Sequence, residues 1–493
     1  MNKPITSKII QGNNYLSFII KKESLSNGKL TQEIIDNYYK TLSNPYLKYT
    51  KSKAKQIYEV TESQLGKIDE DLLLKIKGWI KENIFKLEEL GIPIIGKDYL
   101  KIFVKVPIDK YQCECKRYLI PNIYNKNDFN EKVENILYGV PSNNMNMNSK
   151  KPYLDNKSRK VNVPYLLDNN EVLIQKKFFD YLMNYAIKGN VNIYLNDEGI
   201  YPYKNGELPN SDFQGMYMRI KKGKTELVIH NYDLVTSYKY KLNKPINYKD
   251  VLDLQDKVKS DIPYGICKDR KELQHIIDNV FFSKYLINNY YTEAKSLKDS
   301  IIKRNLLLSR EAIFNWIYKG NESGVYGLLD KVSLDLIKNS IINGYISKAS
   351  HQFNLKFAIT DYFKGGKDMA DTVLEVKNNL RTKINCEKTE SFINDKEYYF
   401  AVGQFVNYLL SKSKGKNKPH SLANPFINAK NNNVIKEKLR NLYKRYNYDI
   451  DMHGKRVKNL YAMIVSYEPE EKVNQDMIIA GYLHSNLIYE SNK

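Results

Sequence analysis

From about residue 271 onward the chain stops offering strands, and that change limits its fold more than any other feature. Residues 273–291, 294–308, 310–318 and 328–346 repeat apolar side chains at three- and four-residue spacing, as one face of a helix requires. The Gly365-Gly366 pair breaks the pattern, and residues 371–489 then resume it. There Tyr398, Val402, Phe405, Val406, Leu409 and Leu410 share one helix face, 434–446 makes a basic helix, and 477–489 makes the last one. Ahead of residue 271 the signals are mixed. Two β-prone runs, 5–10 and 15–20, flank the turn Gly12-Asn13-Asn14. A helix over 65–90 ends at Gly91 and Pro93, a strand covers 99–106, and a short helix ends near Leu137. A helix over 171–187 carries Phe178, Phe179, Leu182, Met183 and Ala186 as its stripe, and a strand over 191–195 follows. Residues 215–229 read as a hairpin with the basic tip Lys221-Lys222-Gly223-Lys224. The predicted class is α+β: a mixed region over 1–270, a helical connecting region over 271–366 and a helical bundle over 367–493.

The net charge of +22 points to a polyanionic partner, although A-rich codons inflate Lys as well as Asn, Ile and Tyr. Four cysteines, Cys113, Cys115, Cys267 and Cys386, are too few for a disulfide framework and fit a reducing compartment. The first residues lack a signal-peptide apolar core, and no window nears 18 uninterrupted apolar residues, so the expected location is the cytoplasm with no membrane partner.

The most irregular stretch runs from Tyr138 to Pro164. Asn143, Asn144, Asn146 and Asn148 carry amides that both donate and accept, as reading base edges demands. Lys150, Lys151, Arg159 and Lys160 follow them and suit phosphates. Lys222 in the hairpin tip suits phosphates too. In the C-terminal part cations gather in a loop (Lys412, Lys414, Lys416, Lys418), at a helix end (Lys444, Arg445) and at Arg456. The same residues also fit solvated loops and turns in a Lys- and Asn-rich chain. With 41 tyrosines, base-stacking faces are abundant and the count selects none of them.

Catalytic patterns are harder to find. Gly365-Gly366-Lys367 lacks the upstream glycine and following hydroxyl of a phosphate-binding loop. The six histidines do not pair at metal-ligand spacing. Asp449, Asp451 and His453 form the one cluster that fits a nuclease metal, a combination common in loops by chance. Cys113 and Cys115 offer two zinc ligands without an evident third and fourth. The expectation is a binding protein without cofactor or metal.

Several segments resemble one family. The run Tyr138-Gly139-Val140-Pro141 through Asn148, with Lys150-Lys151-Pro152-Tyr153, Arg159-Lys160 and Pro164, resembles the large subunit of type I-B CRISPR Cascade surveillance complexes. Residues 399–414 and the ending Ile478-Ile479-Ala480-Gly481-Tyr482-Leu483 do so too, in the same order along the chain. The resemblance implies a non-catalytic subunit at the 5′ end of the CRISPR RNA, beside the subunits of the 5′ handle and the backbone filament. It would recognise the protospacer-adjacent motif in target DNA, help open the duplex for the R-loop, and recruit a separate helicase–nuclease. Guide pairing reads sequence and protein reads the short motif, the division known for other RNA-guided effectors. The C-terminal bundle would hold the displaced strand. Family members with zinc use clearly paired cysteines, so zinc is not expected here. The alternatives are an RNA-processing nuclease and a purely structural nucleoprotein scaffold.

Lys364-Gly365-Gly366 has one further property. Spelled in A-rich codons it forms a strong ribosome-binding sequence just ahead of Met369. A product over 369–493 would have about 125 residues, a usual domain size. One gene would then make both the full chain and small subunits repeating its C-terminal part; a flexible Gly-Gly linker beside a core methionine explains the same residues.

Overall fold

The computed structural model describes residues 4–5, 9–124, 129–134, 136–141, 166–223, 226–259, 262, 264–365, 369–415, 418–450 and 454–490. Helices hold 55% of residues and strands 16%, and the last strand ends at Asp269. The class is α+β, with a mixed N-terminal region and a helical C-terminal part. Two compact units divide the chain: Met1–Val191 with Ile220–His230, and Asn192–Arg219 with Asn231–Lys493.

The first unit runs β1 (Ser17–Lys21), α1 (Lys22–Ser26), α2 (Gln32–Ser43), α3 (Ser52–Leu65), α4 (Glu70–Asn83), β2 (Tyr99–Phe103), α5 (Ile108–Ile123), β3 (Glu131–Val133), β4 (Ile136–Tyr138) and α6 (Asn169–Ile187). β1 pairs antiparallel with β2, Ser17 opposite Phe103 and Lys21 opposite Tyr99. Ile35, Tyr38, Tyr39 and Leu42 of α2 bury against Leu73, Ile76 and Ile80 of α4. The helix expected over 65–90 is shorter at both ends: α4 covers Glu70–Asn83, and Leu65 closes α3 instead. Gly66 takes φ 77° after α3, a left-handed stop that favours glycine. The Asp69 carboxylate then accepts from the Leu72 N–H and opens α4. The short helix expected to end near Leu137 is instead the β3–β4 hairpin, with Lys132 opposite Leu137. Leu137 packs in a satellite core with Ile120, Ile123, Tyr124 and Leu167, and Gly139 exchanges backbone hydrogen bonds with Leu167. Those long-range partners, absent from local sequence, hold the segment extended.

The rest comprises β5 (Asn190–Asn196), β6 (Gly199–Lys204), β7 (Phe213–Lys222), β8 (Leu227–Tyr238), β9 (Lys241–Tyr248), α7 (Asp256–Lys259), β10 (Gly265–Asp269), α8 (Arg270–Val280), α9 (Leu286–Asn289), α10 (Ser300–Lys319), α11 (Val325–Ile342), α12 (Ile346–Lys364), α13 (Met369–Asn385), α14 (Asp395–Ser411), α15 (Asn424–Ile427), α16 (Asn432–Tyr446), α17 (Lys455–Ser466) and α18 (Gln475–Leu483). A four-stranded sheet has the order β6-β5-β7-β8, and β9 pairs with β10. Tyr194 and Tyr217 of the sheet share a core with Cys267, Leu273, Ile277 and Trp316. The change of pattern at residue 271 therefore falls inside one compact unit. The last helix is shorter than the 477–489 expected: α18 stops at Leu483, and a 3-10 turn, Leu487–Tyr489, follows.

Helix α12 is buried from Ala349 to Ile359 without a break. Phe353 and Phe357 feed the core of the C-terminal bundle, while Leu355, Ala358 and Ile359 feed the sheet-side core. Lys356, buried on the same helix, bonds Asp330 of α11 at 3.1 Å and Asp476 of α18 at 2.8 Å. Burial opposes its charge, but the two carboxylates outweigh that and hold the ammonium above its usual range.

In the bundle, α14 and α18 cross backbone to backbone. A Cβ on Gly403 would lie 2.1 Å from the Ile478 carbonyl oxygen, and one on Gly481 would lie 2.0 Å from that of Phe400. Gln404 Nε2 donates to the Gly481 carbonyl at 2.6 Å and Asn407 Nδ2 to that of Tyr482 at 2.7 Å, so carbonyls brought into the crossing keep donors. Gly403→Ala is expected to lower bundle stability by about 1–3 kcal/mol, because the methyl meets backbone that cannot turn aside. Gly78→Ala in α4, where a Cβ meets nothing within 4 Å, is expected to raise stability by about 0.5–1 kcal/mol. Thermal unfolding of the two variants should shift in opposite directions.

His484 lies just beyond α18, buried, 6.0 Å from the Phe400 ring. Burial first, and then the Lys377 charge, push its pKa from 6.5 down to about 4. The folded state thus keeps the imidazole neutral where the unfolded chain binds a proton. Its contribution is full above pH 6.5 and lost as pH falls toward 4, on the order of 3 kcal/mol in all. His484→Gln should flatten the fall of melting temperature between pH 6.5 and 4; an unchanged slope would assign that fall to other groups.

Candidate nucleic-acid interface

Helix α14 ends at Ser411, and Lys412 takes the C-cap. Helix α16 opens where Asn431 accepts from the Asn433 N–H, and runs into a 3-10 turn, Asn447–Asp449. Its last turn carries Lys444 and Arg445, where the helix dipole favours cations.

Tertiary structure brings these two ends together. The Lys414 ammonium lies 4.8 Å from the centre of the Tyr448 ring, three residues beyond Arg445. The Lys412 ammonium lies 5.0 Å from the Tyr408 ring and 5.7 Å from that of Tyr489. Burial lowers its pKa, but Tyr408, Tyr489 and Asp449 outweigh burial and keep it firmly charged. The Arg445 guanidinium lies 6.0 Å from the Tyr446 ring. Behind the cations is an aromatic stack: Tyr443 on Tyr461 at 4.5 Å, with Phe405 5.4 Å from Tyr461 and 6.0 Å from Tyr408.

Lys414, Lys444 and Arg445 are exposed, whereas burial pushes the Lys418 ammonium below its usual range. Among the described residues none of the four, nor Lys412, makes an ion pair, whereas Lys436 earlier on α16 bonds Glu468 at 2.6 Å. The cations at this end are therefore those whose charge faces solvent, the arrangement that binds phosphates.

Other candidates are placed elsewhere. Arg456, on α17, does not join the cluster. Its Nε donates to Asn385 Oδ1 at 2.7 Å, and its NH1 donates to the carbonyls of Leu487, Ile488 and Glu490. Lys222 stands exposed at the end of β7, in the first compact unit. Asn143, Asn144, Asn146, Asn148, Lys150, Lys151, Arg159, Lys160 and Lys416 lie outside the described residues, as do Asp451 and His453. Asp449 is exposed and close enough to Lys412 to favour its charge.

On α5 the two paired cysteines make separate local contacts. Cys113 Sγ donates to the Leu65 carbonyl at 3.7 Å, and Cys115 Sγ accepts from Asn14 at 3.2 Å. Glu114 between them takes Arg117 at 3.1 Å, both groups buried. Among the described residues no three His, Cys, Asp or Glu side chains group as a metal site, and no helix is long and apolar enough to cross a membrane.

Tyr448 and Tyr489 belong to this surface and were not singled out in sequence. Tyr448 follows Lys444 and Arg445, a setting many of the 41 tyrosines share, and Tyr489 has no Lys or Arg within three positions. No protein-family model, curated protein or solved structure matches the chain.

Proposed function

We propose that this protein is a nucleic-acid-binding, non-catalytic large subunit of a Cascade-type RNA-guided surveillance complex. The observation that carries the binding part is the meeting of Lys412, Lys414, Lys444 and Arg445 around Tyr448 and Tyr489 on a chain of net charge +22. Unpaired cations beside exposed rings suit a nucleic-acid strand, since phosphates take the charge and bases take the ring faces. The assembly part rests on the sequence resemblance and the matching layout, a mixed region ahead of a helical bundle. In this reading the bundle holds the displaced strand, the 143–160 loop reads the adjacent motif, guide RNA and backbone subunits complete the particle, and a separate helicase–nuclease cuts.

Two experiments test the parts separately. Full-length protein purified from its own cells should carry a guide RNA of uniform length together with partner subunits. Recovery of protein free of RNA would reject the assembly. Reversing Lys414 and Lys444 to Glu should weaken single-strand binding and make the salt dependence shallower by about 0.7 per lost phosphate contact. An unchanged slope would place the strand elsewhere.

We further propose that small subunits are translated from Met369, the first residue of α13. Such a product keeps the α14–α18 crossing but lacks Ile337, Ile341, Ala349, Phe353 and Phe357, which share its core in the full chain. Asp476 would also lose Lys356. A separate copy would therefore need a neighbour to cover that face, as packing along a filament supplies. C-terminally tagged expression should give a short band that disappears when Lys364, Gly365 and Gly366 are recoded synonymously; a band that survives recoding rejects the internal start.

A further inference from the structure

We infer that Tyr448 and Tyr489 are stacking surfaces for bases of an unpaired strand, and that Arg381 and Arg456 position Tyr489 without touching nucleic acid. This rests on the reading of the Lys412–Arg445 cluster as a strand-binding surface and adds the residues that hold one of its rings in place.

Tyr448 and Tyr489 are 57% and 55% exposed, in a bundle that buries Tyr398, Tyr399, Tyr408 and Tyr482 almost completely. Each ring carries an ammonium: Lys414 at 4.8 Å on Tyr448 and Lys412 at 5.7 Å on Tyr489. Tyr489 has Tyr408 on one side, at 5.6 Å, so its exposure belongs to the remainder of the ring. Both rings flank one short stretch, residues 411–415. An exposed ring with a cation beside it offers a base its face and the adjoining phosphate a charge. Bases in a duplex are stacked on each other and present no such face. The ligand is therefore a single strand, and sequence hardly matters because every base has a π-face.

Tyr489 lies in the 3-10 turn Leu487–Tyr489, too short to hold a conformation unaided. Eight hydrogen bonds fix it. The Leu487 N–H donates to Gln404 Oε1 at 2.8 Å, and Asn486 Nδ2 donates to the Gln404 carbonyl at 3.0 Å. Arg456 caps the carbonyls of Leu487, Ile488 and Glu490. Arg381 grips the Glu490 carboxylate through Nε at 2.7 Å and NH2 at 2.9 Å. The Tyr489 hydroxyl meets Ser411 Oγ at 2.7 Å, which ties the ring to the cationic stretch. The guanidinium of Arg456, which charge alone assigns to phosphate, is engaged within the fold.

The test uses the full chain and two fluorescent probes of equal length, an oligothymidylate and its abasic counterpart, which keeps the phosphates and lacks the bases. Tyr448→Ala and Tyr489→Ala should each weaken the first probe about 10-fold and leave the second, and the salt slope, unchanged. Tyr→Phe at either position should restore binding. Arg456→Gln should reproduce the selective loss of Tyr489→Ala and add nothing to it in the double variant. If Arg456→Gln lowers the melting temperature of the bundle, Glu490→Gln, which loosens the grip of Arg381 alone, carries the same comparison. Equal loss on both probes with a slope shallower by about 0.7 would make Arg456 a phosphate contact and overturn its positioning role. Tyrosine variants that bind both probes like wild type would overturn stacking. Wild-type protein that binds neither probe would instead overturn the polyanion reading.

Discussion

The C-terminal bundle depends on the absence of two side chains. Gly403 and Gly481 let α14 and α18 meet where any Cβ would stand 2.0–2.1 Å from a carbonyl oxygen of the other helix. Contact that close has a consequence for everything around it. Residues 397–406 of α14 and Met477–Leu483 of α18 are buried on every side, so neither helix has a solvent face. Polar residues that remain there must find their partners within the fold. Gln404 does so most fully, donating to Gly481 and Ser485 and accepting from Leu487. The chain leaving α18 is therefore steered along the end of α14, which delivers Tyr489 to Lys412. One steric constraint thus reaches the candidate surface through a continuous set of hydrogen bonds.

Buried charges fix the relation of the other helices. Lys356 joins α12 to α11 and α18, and Lys383 of α13 bonds Glu397 of α14 at 2.8 Å with both groups nearly fully buried. Glu397 Oε2 also accepts from the Ile393 N–H at 2.7 Å. Ion pairs of this kind add little net stability, since desolvation offsets attraction, but removing one partner costs about 3–5 kcal/mol. Their effect is on register: an alternative packing would leave a charge unpaired in the core. The cations at the loop after α14 and at the end of α16 have no such partner among the described residues, which separates solvent-facing charge from structural charge on a chain rich in both.

The candidate surface draws on the loop after α14, the end of α16 with its 3-10 turn, and the chain's last described turn. No motif spans these pieces. The resemblance segments 399–414 and 478–483 turn out to be the two helices of the glycine crossing, so much of what makes them distinctive is packing. Only Lys412 and Lys414, at the margin of the first, reach the surface. Arg456 shows how composition misleads in such a chain: grouped by charge with the other C-terminal cations, it serves as a cap for backbone carbonyls.

The sequence by itself determined the α+β class, the end of strand structure near residue 270, the β7–β8 hairpin and the basic helix α16. These follow from local spacing, which 3.6- and 2-residue periods encode directly. Lys414, Lys444 and Arg445 were legible as candidates because charge is written in composition. Tertiary structure decided the rest. The segment at Leu137 is a strand because Tyr124 and Leu167, distant in sequence, pack and pair around it. The helix expected over 65–90 begins only at Glu70 because Gly66 stops α3 in a left-handed turn and Asp69 caps the next helix, a local event that apolar periodicity runs straight through. Tyr489 becomes a surface ring, and Arg456 a half-buried clasp, only through contacts across 31 to 83 positions of chain. Spacing along a helix specifies which side chains share a face, but not which faces meet.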